Sequence, residues 1–281
     1  KQRQQVWQWD PGAREWVDND RVPVSDRGFR YGMALFETAL IYRRAPVLLR
    51  DHITQMFSYA DSLQWPLPTG ALLGIPSYLK QRREHLPEHG ILRIHLTAGD
   101  GLFGARPGQP RLLVSCHAGA PPKPLEQCRP LRVTARTLSH TQGFPNAFGF
   151  KSHNYWHNLQ MRTYAALFGC DEALISGNDG SVSSFSRGNL FLVRGSRLIT
   201  SPLSSGARPG VVRNWLMDRY VVEHDEPLTL DDLFNADEMF LTNSGVGIWP
   251  AASLSGRRYY ATSKGSAIAA RWREFLDSLV E

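Results

Sequence analysis

Apolar and polar positions along the chain mark out a series of short strands and helices. Leu35 to Tyr42 has the apolar density of a strand and runs into a polar turn, Arg43-Arg44-Ala45-Pro46. Ile53, Met56, Phe57, Ala60 and Leu63 recur at helical spacing, which predicts a helix from His52 to Leu63 capped by Asp51. Gly70 to Arg83 reads as a second helix, interrupted or kinked at Pro76, whose ring removes a donor and crowds the preceding turn. Ile91 to Thr97 alternates as a strand does, and Arg111 to Cys116 reads as a buried one. Further on, Tyr155 to Phe168 forms a helical pattern ended by Gly169, and Glu172 to Ser176 a strand turned by Gly177-Asn178-Asp179-Gly180. Asn189 to Val193 and Arg197 to Thr200 pair as a hairpin around Arg194-Gly195-Ser196. Gly210 stands at the front of a helix towards Tyr220, Glu238 to Thr242 is another strand, and Ser263 to Leu279 an amphipathic helix.

Strands and helices thus mix without regular alternation, which predicts an α+β fold over a doubly wound sheet. The sharpest compositional break is His117 to Pro124, where three prolines and a glycine make an extended connector. The boundary, near residues 117–127, divides the chain into a smaller N-terminal domain, 1–120, and a larger C-terminal domain, 121–281, which carries residue 151. Composition changes this picture little. Basic residues exceed acidic ones to a net charge of +6, but they are scattered singly or in pairs, so a nucleic-acid partner is not expected. Cys116, Cys128 and Cys170 lack metal-ligand or redox spacing, an odd count that fits a reducing compartment. No apolar run reaches membrane-spanning length and Lys1 to Asp10 has no signal-peptide core, so the expectation is a cytoplasmic, soluble chain with no membrane partner.

The chemistry starts from the lysines, of which there are only five: Lys1, Lys80, Lys123, Lys151 and Lys264. Lys151 alone stands in an aromatic, glycine-bearing setting, Phe148-Gly149-Phe150-Lys151-Ser152-His153-Asn154-Tyr155-Trp156. A lysine among apolar neighbours gives up its proton more readily, as Schiff-base formation with an aldehyde requires. Local context alone is equally met by a lysine snorkelling from a strand end.

Further segments occur in order along the chain: Val24-Ser25-Asp26-Arg27-Gly28-Phe29-Arg30-Tyr31-Gly32 through Phe36-Glu37-Thr38; Lys151-Ser152-His153-Asn154-Tyr155; Gly180-Ser181-Val182 through Asn189-Leu190-Phe191; Pro209-Gly210-Val211-Val212-Arg213; and Phe240-Leu241-Thr242-Asn243-Ser244. In order and spacing, from about residue 20 to 255, they resemble the class IV aminotransferase family. It includes branched-chain and D-amino-acid aminotransferases and 4-amino-4-deoxychorismate lyase. The resemblance implies the two-domain α+β architecture called PLP fold type IV (the D-amino-acid aminotransferase-like fold), a homodimer, an amino acid substrate and pyridoxal 5′-phosphate as cofactor. It makes Lys151 the Schiff-base lysine and the base at the substrate Cα. Tyr155 would donate to the cofactor's phenolate oxygen, although a packed core tyrosine reads equally well. Gly210, Val211 and Val212 would offer backbone N–H groups to the phosphate at a helix N-terminus, with simple helix initiation after Pro209 as the rival reading. Ser244 and Gly245 would add a hydroxyl and an N–H. Tyr31 would face the substrate carboxylate, or pack as a core aromatic, while Asp26, Arg27 and Gly28 read as scaffold.

The chain departs from the family pattern at three places. Ser184 stands where a glutamate usually pairs with the pyridine nitrogen, and a hydroxyl cannot hold a proton there as a carboxylate does. Gln55 replaces an arginine that reaches the phosphate, and Ala98 an arginine near the substrate; another arginine, Arg187 or Arg208, is a candidate to substitute at the phosphate. Ser184 tilts the reading towards a lyase resembling 4-amino-4-deoxychorismate lyase, which eliminates pyruvate. An aminotransferase for branched-chain or D-amino acids is the second reading. A homologue that binds a ligand or partner without the chemistry is the third. His153 and His157, at i and i+4, lack a partner carboxylate at metal-ligand spacing, so no metal is expected and these histidines read as packed or solvated.

Overall fold

The structure, a computed structural model, describes residues 4–123, 129–137 and 150–279. Cys128, Phe148, Gly149 and the end of the proline connector lie outside the described residues. The chain divides into two units: residues up to Pro121 together with Phe150–Asn154, and the remaining described residues from Pro122 to Leu279.

The first unit opens with a hairpin, β1 (Gln5–Asp10) and β2 (Glu15–Asp18), followed by a short helix α1 (Arg27–Tyr31), β3 (Ala34–Tyr42) and β4 (Ala45–Pro46). Helices α2 (Leu49–Ser62) and α3 (Thr69–Gln81) follow, then β5 (His89–Thr97) and β6 (Arg111–Ala118). The six strands form one sheet in the order β2-β1-β6-β5-β3-β4, all five pairings antiparallel. Strand side chains alternate between faces, and Leu92, Ile94, Leu96, Leu112, Val114, Ala39 and Ile41 all point to the face covered by Ile53, Met56, Leu72, Ile75 and Leu79 of α2 and α3. Phe36 and His95, paired across β3 and β5, belong to the opposite face.

Three local expectations change. Asp51 does not cap α2: the helix begins at Leu49, after Leu48 in the left-handed region (φ 52°), and Asp51 lies in its first turn. Pro76 does not interrupt α3, because Ala71, Leu72, Ile75 and Leu79 bury one continuous stripe; that burial offsets the roughly 3 kcal/mol a helical proline costs. The third change concerns residue 151, expected in the C-terminal domain. Lys151 O accepts from Phe36 N (2.8 Å), His153 N donates to Ala34 O (2.8 Å), and Ser152 bridges Leu35. These bonds make the lysine segment a short edge piece of the first unit's sheet.

The second unit contains β7 (Leu131–Thr137), α4 (Trp156–Leu167), β8 (Glu172–Ser176), β9 (Val182–Phe185), β10 (Asn189–Arg194), β11 (Arg197–Thr200), α5 (Val211–Met217), β12 (Val222–Glu223), α6 (Leu230–Phe234), β13 (Glu238–Asn243), β14 (Gly247–Leu254), β15 (Arg257–Arg258) and α7 (Ser263–Ser278). Its sheet runs β12-β11-β10-β13-β14-β7-β8-β9, with β15 beside β14. The β10–β11 hairpin forms as the spacing predicts, whereas α5 stops at Met217, short of Tyr220. Parallel pairings of β7 with β8 and β14 sit among antiparallel neighbours, so the α+β expectation is borne out. Among the described residues no helix is long and apolar enough to cross a membrane.

Candidate active site

Lys151 lies on the first unit's sheet, its Nζ 4.6 Å from the centre of the Phe36 ring. The aromatic setting read from the sequence is thus supplied in part from β3; Phe150 turns away to pack edge-on against Tyr59 at 5.3 Å. Beside the lysine, His153 meets Phe36 edge to face at 5.6 Å, and its Nε2 is 3.0 Å from Nδ1 of His95. Burial, the neighbouring His153 and the Arg93 guanidinium press the His95 pKa down to about 4. Desolvation lowers His153 as well, against a pull upward from Asp26. Asn154 follows, its Nδ2 donating to Gly32 O (3.4 Å). Gly32 holds φ 68°, and a Cβ there would come within 2.1 Å of Asn154 Oδ1, so glycine is required. Tyr31, just before it, is half-buried and packs edge-on against Phe103 at 5.7 Å.

The scaffold under these groups is polar and buried. Asp26 caps α1 and accepts from Thr97 Oγ1 (2.7 Å) and from Arg111 (2.6 Å). Arg27, 1% exposed, donates to the carbonyls of Ala98, Gly99 and Ala105. Glu37 and His52, both buried, bond at 2.7 Å between β3 and α2.

In the second unit, Tyr155 is the residue before α4 and its carbonyl accepts from Leu159 N. Gly210 is the N-cap of α5, which has no side-chain cap bond; the first N–H groups of such a helix, at Val211 and Val212, have no intrahelical acceptor. Asn189 holds this turn, donating from Nδ2 to Arg208 O (2.7 Å), and a Cβ on Gly210 would come within 2.2 Å of Asn189 Oδ1. A second asparagine shapes the end of β13: Asn243 Nδ2 donates to Arg187 O (3.0 Å), while its Oδ1 accepts from Gly245 N and Val246 N, both at 2.9 Å. The Gly245 N–H foreseen for a phosphate is therefore already engaged. Ser244 stands in that turn, and the buried Oγ1 of Thr242, two residues before it, has no hydrogen-bond partner among the described residues. An uncapped helix start and an unused buried hydroxyl are donor chemistry suited to a phosphate.

Ser184 lies half-buried on β9, opposite Ile175 of β8. The carboxylate on the neighbouring strand, Glu172, accepts from Ala173 N (3.0 Å), Ser186 Oγ and Arg187 Nε (2.7 Å). Its oxygens are taken up by that network, and the same pair occupies Arg187. Sequence reasoning missed the positioning roles of Asn189 and Asn243, although both belong to quoted motifs, and it missed His95, which carried no motif at all. Among the described residues no three His, Cys, Asp or Glu side chains gather to hold a metal.

Comparison with known proteins agrees with this layout. The family model for class IV amino-transferases matches residues 34–254. A relative from Methanocaldococcus jannaschii, named for branched-chain-amino-acid aminotransfer, is 28% identical over 244 residues, 84% of each chain. The aminodeoxychorismate lyase of Bacillus subtilis is 25% identical over 260 residues, 87% of this chain and 85% of its own. A fold IV transaminase from Curtobacterium pusillum superposes with a TM-score of 0.82 at 21% identity, covering 98% and 99% of the two chains.

Proposed function

Because the chain belongs to the class IV aminotransferase family, we propose that it is a pyridoxal-phosphate-dependent lyase that eliminates pyruvate from an amino acid like 4-amino-4-deoxychorismate. Bound pyridoxal phosphate supplies an electron-withdrawing ring that stabilises negative charge at the carbon beside the substrate nitrogen. Lys151 holds the cofactor aldehyde and afterwards takes up and returns the proton at the substrate Cα. Val211, Val212 and Ser244 serve its phosphate, Tyr155 its phenolate oxygen, and Tyr31 borders the substrate carboxylate. Gly210 allows the close turn, and Gly245 contributes through the loop that Asn243 holds. A homodimer belongs to this reading.

Ser184 is the observation that carries it. A hydroxyl there, with Glu172 spent on Arg187 and Ser186, leaves no carboxylate from that strand pair to keep a proton on the ring nitrogen. A bound ring without that proton would be a weaker electron sink, which would hinder transamination more than an elimination with a good leaving group. Against this stands the aminotransferase relative at 28% identity, which supports amino-group exchange with branched-chain amino acids. The two separate in one assay. Purified holoenzyme incubated with 4-amino-4-deoxychorismate is expected to release pyruvate; rapid amino transfer from leucine or D-alanine to a 2-oxo acid, without pyruvate, decides for the transaminase. Borohydride should bleach the yellow protein and leave its label on Lys151.

A further inference from the structure

We propose that His95 and His153 form a two-ring proton relay serving Lys151, so that the pair is a positioning and transfer element of the reaction. This rests on the reading of Lys151 as the base. The geometry comes first. Residues 151 and 153 flank Ser152 on a segment bonded to β3 through Phe36 N, Ala34 O and the Ser152 bridge. Both reach the same ring: Lys151 Nζ is 4.6 Å from the centre of Phe36 and the His153 ring 5.6 Å. His95 arrives on that face from β5, stacked on Phe36 at 6.3 Å and 19°, and closes a hydrogen bond of 3.0 Å to His153. The charged groups around the pair are Lys151, Arg93 on β5 and Asp26 at the start of α1. Burial first, then the mutual contact and Arg93, disfavour a proton on His95, and burial with Arg93 does the same for His153 against the pull of Asp26.

Two neutral imidazoles joined in this way have one property that a single ring lacks. Whichever ring donates the shared hydrogen, one outer nitrogen of the pair carries a hydrogen and the other is bare. When a proton reaches the bare nitrogen, the shared hydrogen passes to the second ring and the outer hydrogen leaves. Each ring gains one N–H bond and loses one, no charge remains and no electrons change owner. The pair is then in its other tautomer and is set to run in reverse. A base whose proton exchanges with solvent during turnover, entering at one outer nitrogen and leaving from the other, is served by a carrier that resets in this manner. A packing role for the two rings against Phe36 would need neither the hydrogen bond nor the neutrality.

The test uses holoenzyme with ¹⁵N-labelled histidine, and His95→Gln, His153→Gln and the double variant. Ring-nitrogen NMR between about pH 5 and 8 should show both rings neutral, each averaged between its tautomers, and His153 settling into one tautomer in His95→Gln. Loss into D₂O of the hydrogen on the amino-bearing carbon, of 4-amino-4-deoxychorismate or of whichever of L-leucine, L-glutamate and D-alanine the parent exchanges, should fall about 10²-fold in each single variant and no further in the double, because the two act as a unit. Rings frozen in one tautomer in the parent, or exchange unchanged in either single variant, would overturn the relay. Borohydride labelling separates the two claims. Label absent from Lys151 in the parent sinks the reading of the lysine, whereas label present with unaltered exchange sinks the relay alone.

Discussion

At the scale of single residues, the chemistry depends on what stands near each ionisable group. Ser184 is the clearest case, since its neighbourhood contains an acid, Glu172, that is already bonded to Arg187, Ser186 and its own backbone. Ser184→Glu is expected to restore a proton-holding partner for the ring nitrogen and to raise the rate of cofactor conversion to the amine form by added amino acids, read by absorbance, while pyruvate release does not gain. Arg208 is the second case. Its carbonyl is fixed by Asn189 directly before the uncapped start of α5, and with Gln55 at the usual arginine position it is the remaining candidate cation for the phosphate. Arg208→Ala should therefore weaken cofactor binding by about 1.5–3 kcal/mol, roughly ten- to a hundredfold in Kd, measured by titrating apoprotein with pyridoxal phosphate. The lysine and the serine were legible as motif positions. The fate of Glu172 was not, because a side chain's partners on other strands leave no trace in spacing.

At the scale of elements, boundaries followed local chemistry where a cap or a glycine marks them and shifted where packing overrides propensity. Helix α3 runs through Pro76 because its apolar stripe is buried, and α2 starts early behind a left-handed Leu48. Helix α7 shows the converse, a start set by contacts from far along the chain. Thr262 caps it by accepting from Gly265 N (3.0 Å), and the buried Glu238 carboxylate accepts from Thr262 N (2.9 Å) and Oγ1 (2.7 Å). A Cβ on Gly265 would fall 2.1 Å from that carboxylate. Gly265→Ala is expected to break this junction at a cost of about 1–3 kcal/mol, visible as a lower thermal midpoint with the cofactor spectrum retained.

At the scale of the whole molecule, pH enters through the same histidines. The His95 pKa falls from 6.5 to about 4 on folding, so between those values the unfolded chain binds a proton that the folded one refuses. Stability contributed by the neutral ring is complete above pH 6.5 and is lost as pH drops towards 4. Asp100, Asp171 and Asp232, all lowered from 3.8 by bonds to arginines or backbone, act in a window further down. Thermal midpoints measured from pH 7.5 down to 4.5 should decline in the parent and decline less steeply in His95→Gln; parallel curves would show that His95 stays protonatable in the fold.

Much of this was written in the order of residues. Hydrophobic spacing placed β3, β5, β8, β10 and α7 to within a residue or two, because alternation and helical periodicity are local and each strand or helix buries its own apolar face. The motif order carried the family and, with it, PLP as the cofactor, and it singled out Lys151 and Ser184 as the positions on which the proposed chemistry rests. Folding decided the rest. It attached Phe150–Asn154 to β3 of the first unit, set Phe36 under Lys151, spent Glu172 and the Gly245 N–H on internal partners, and brought His95 against His153 from 58 positions away. Each of these depends on which strands become neighbours, and pairing between strands is fixed by the burial of the whole sheet, not by any segment within it.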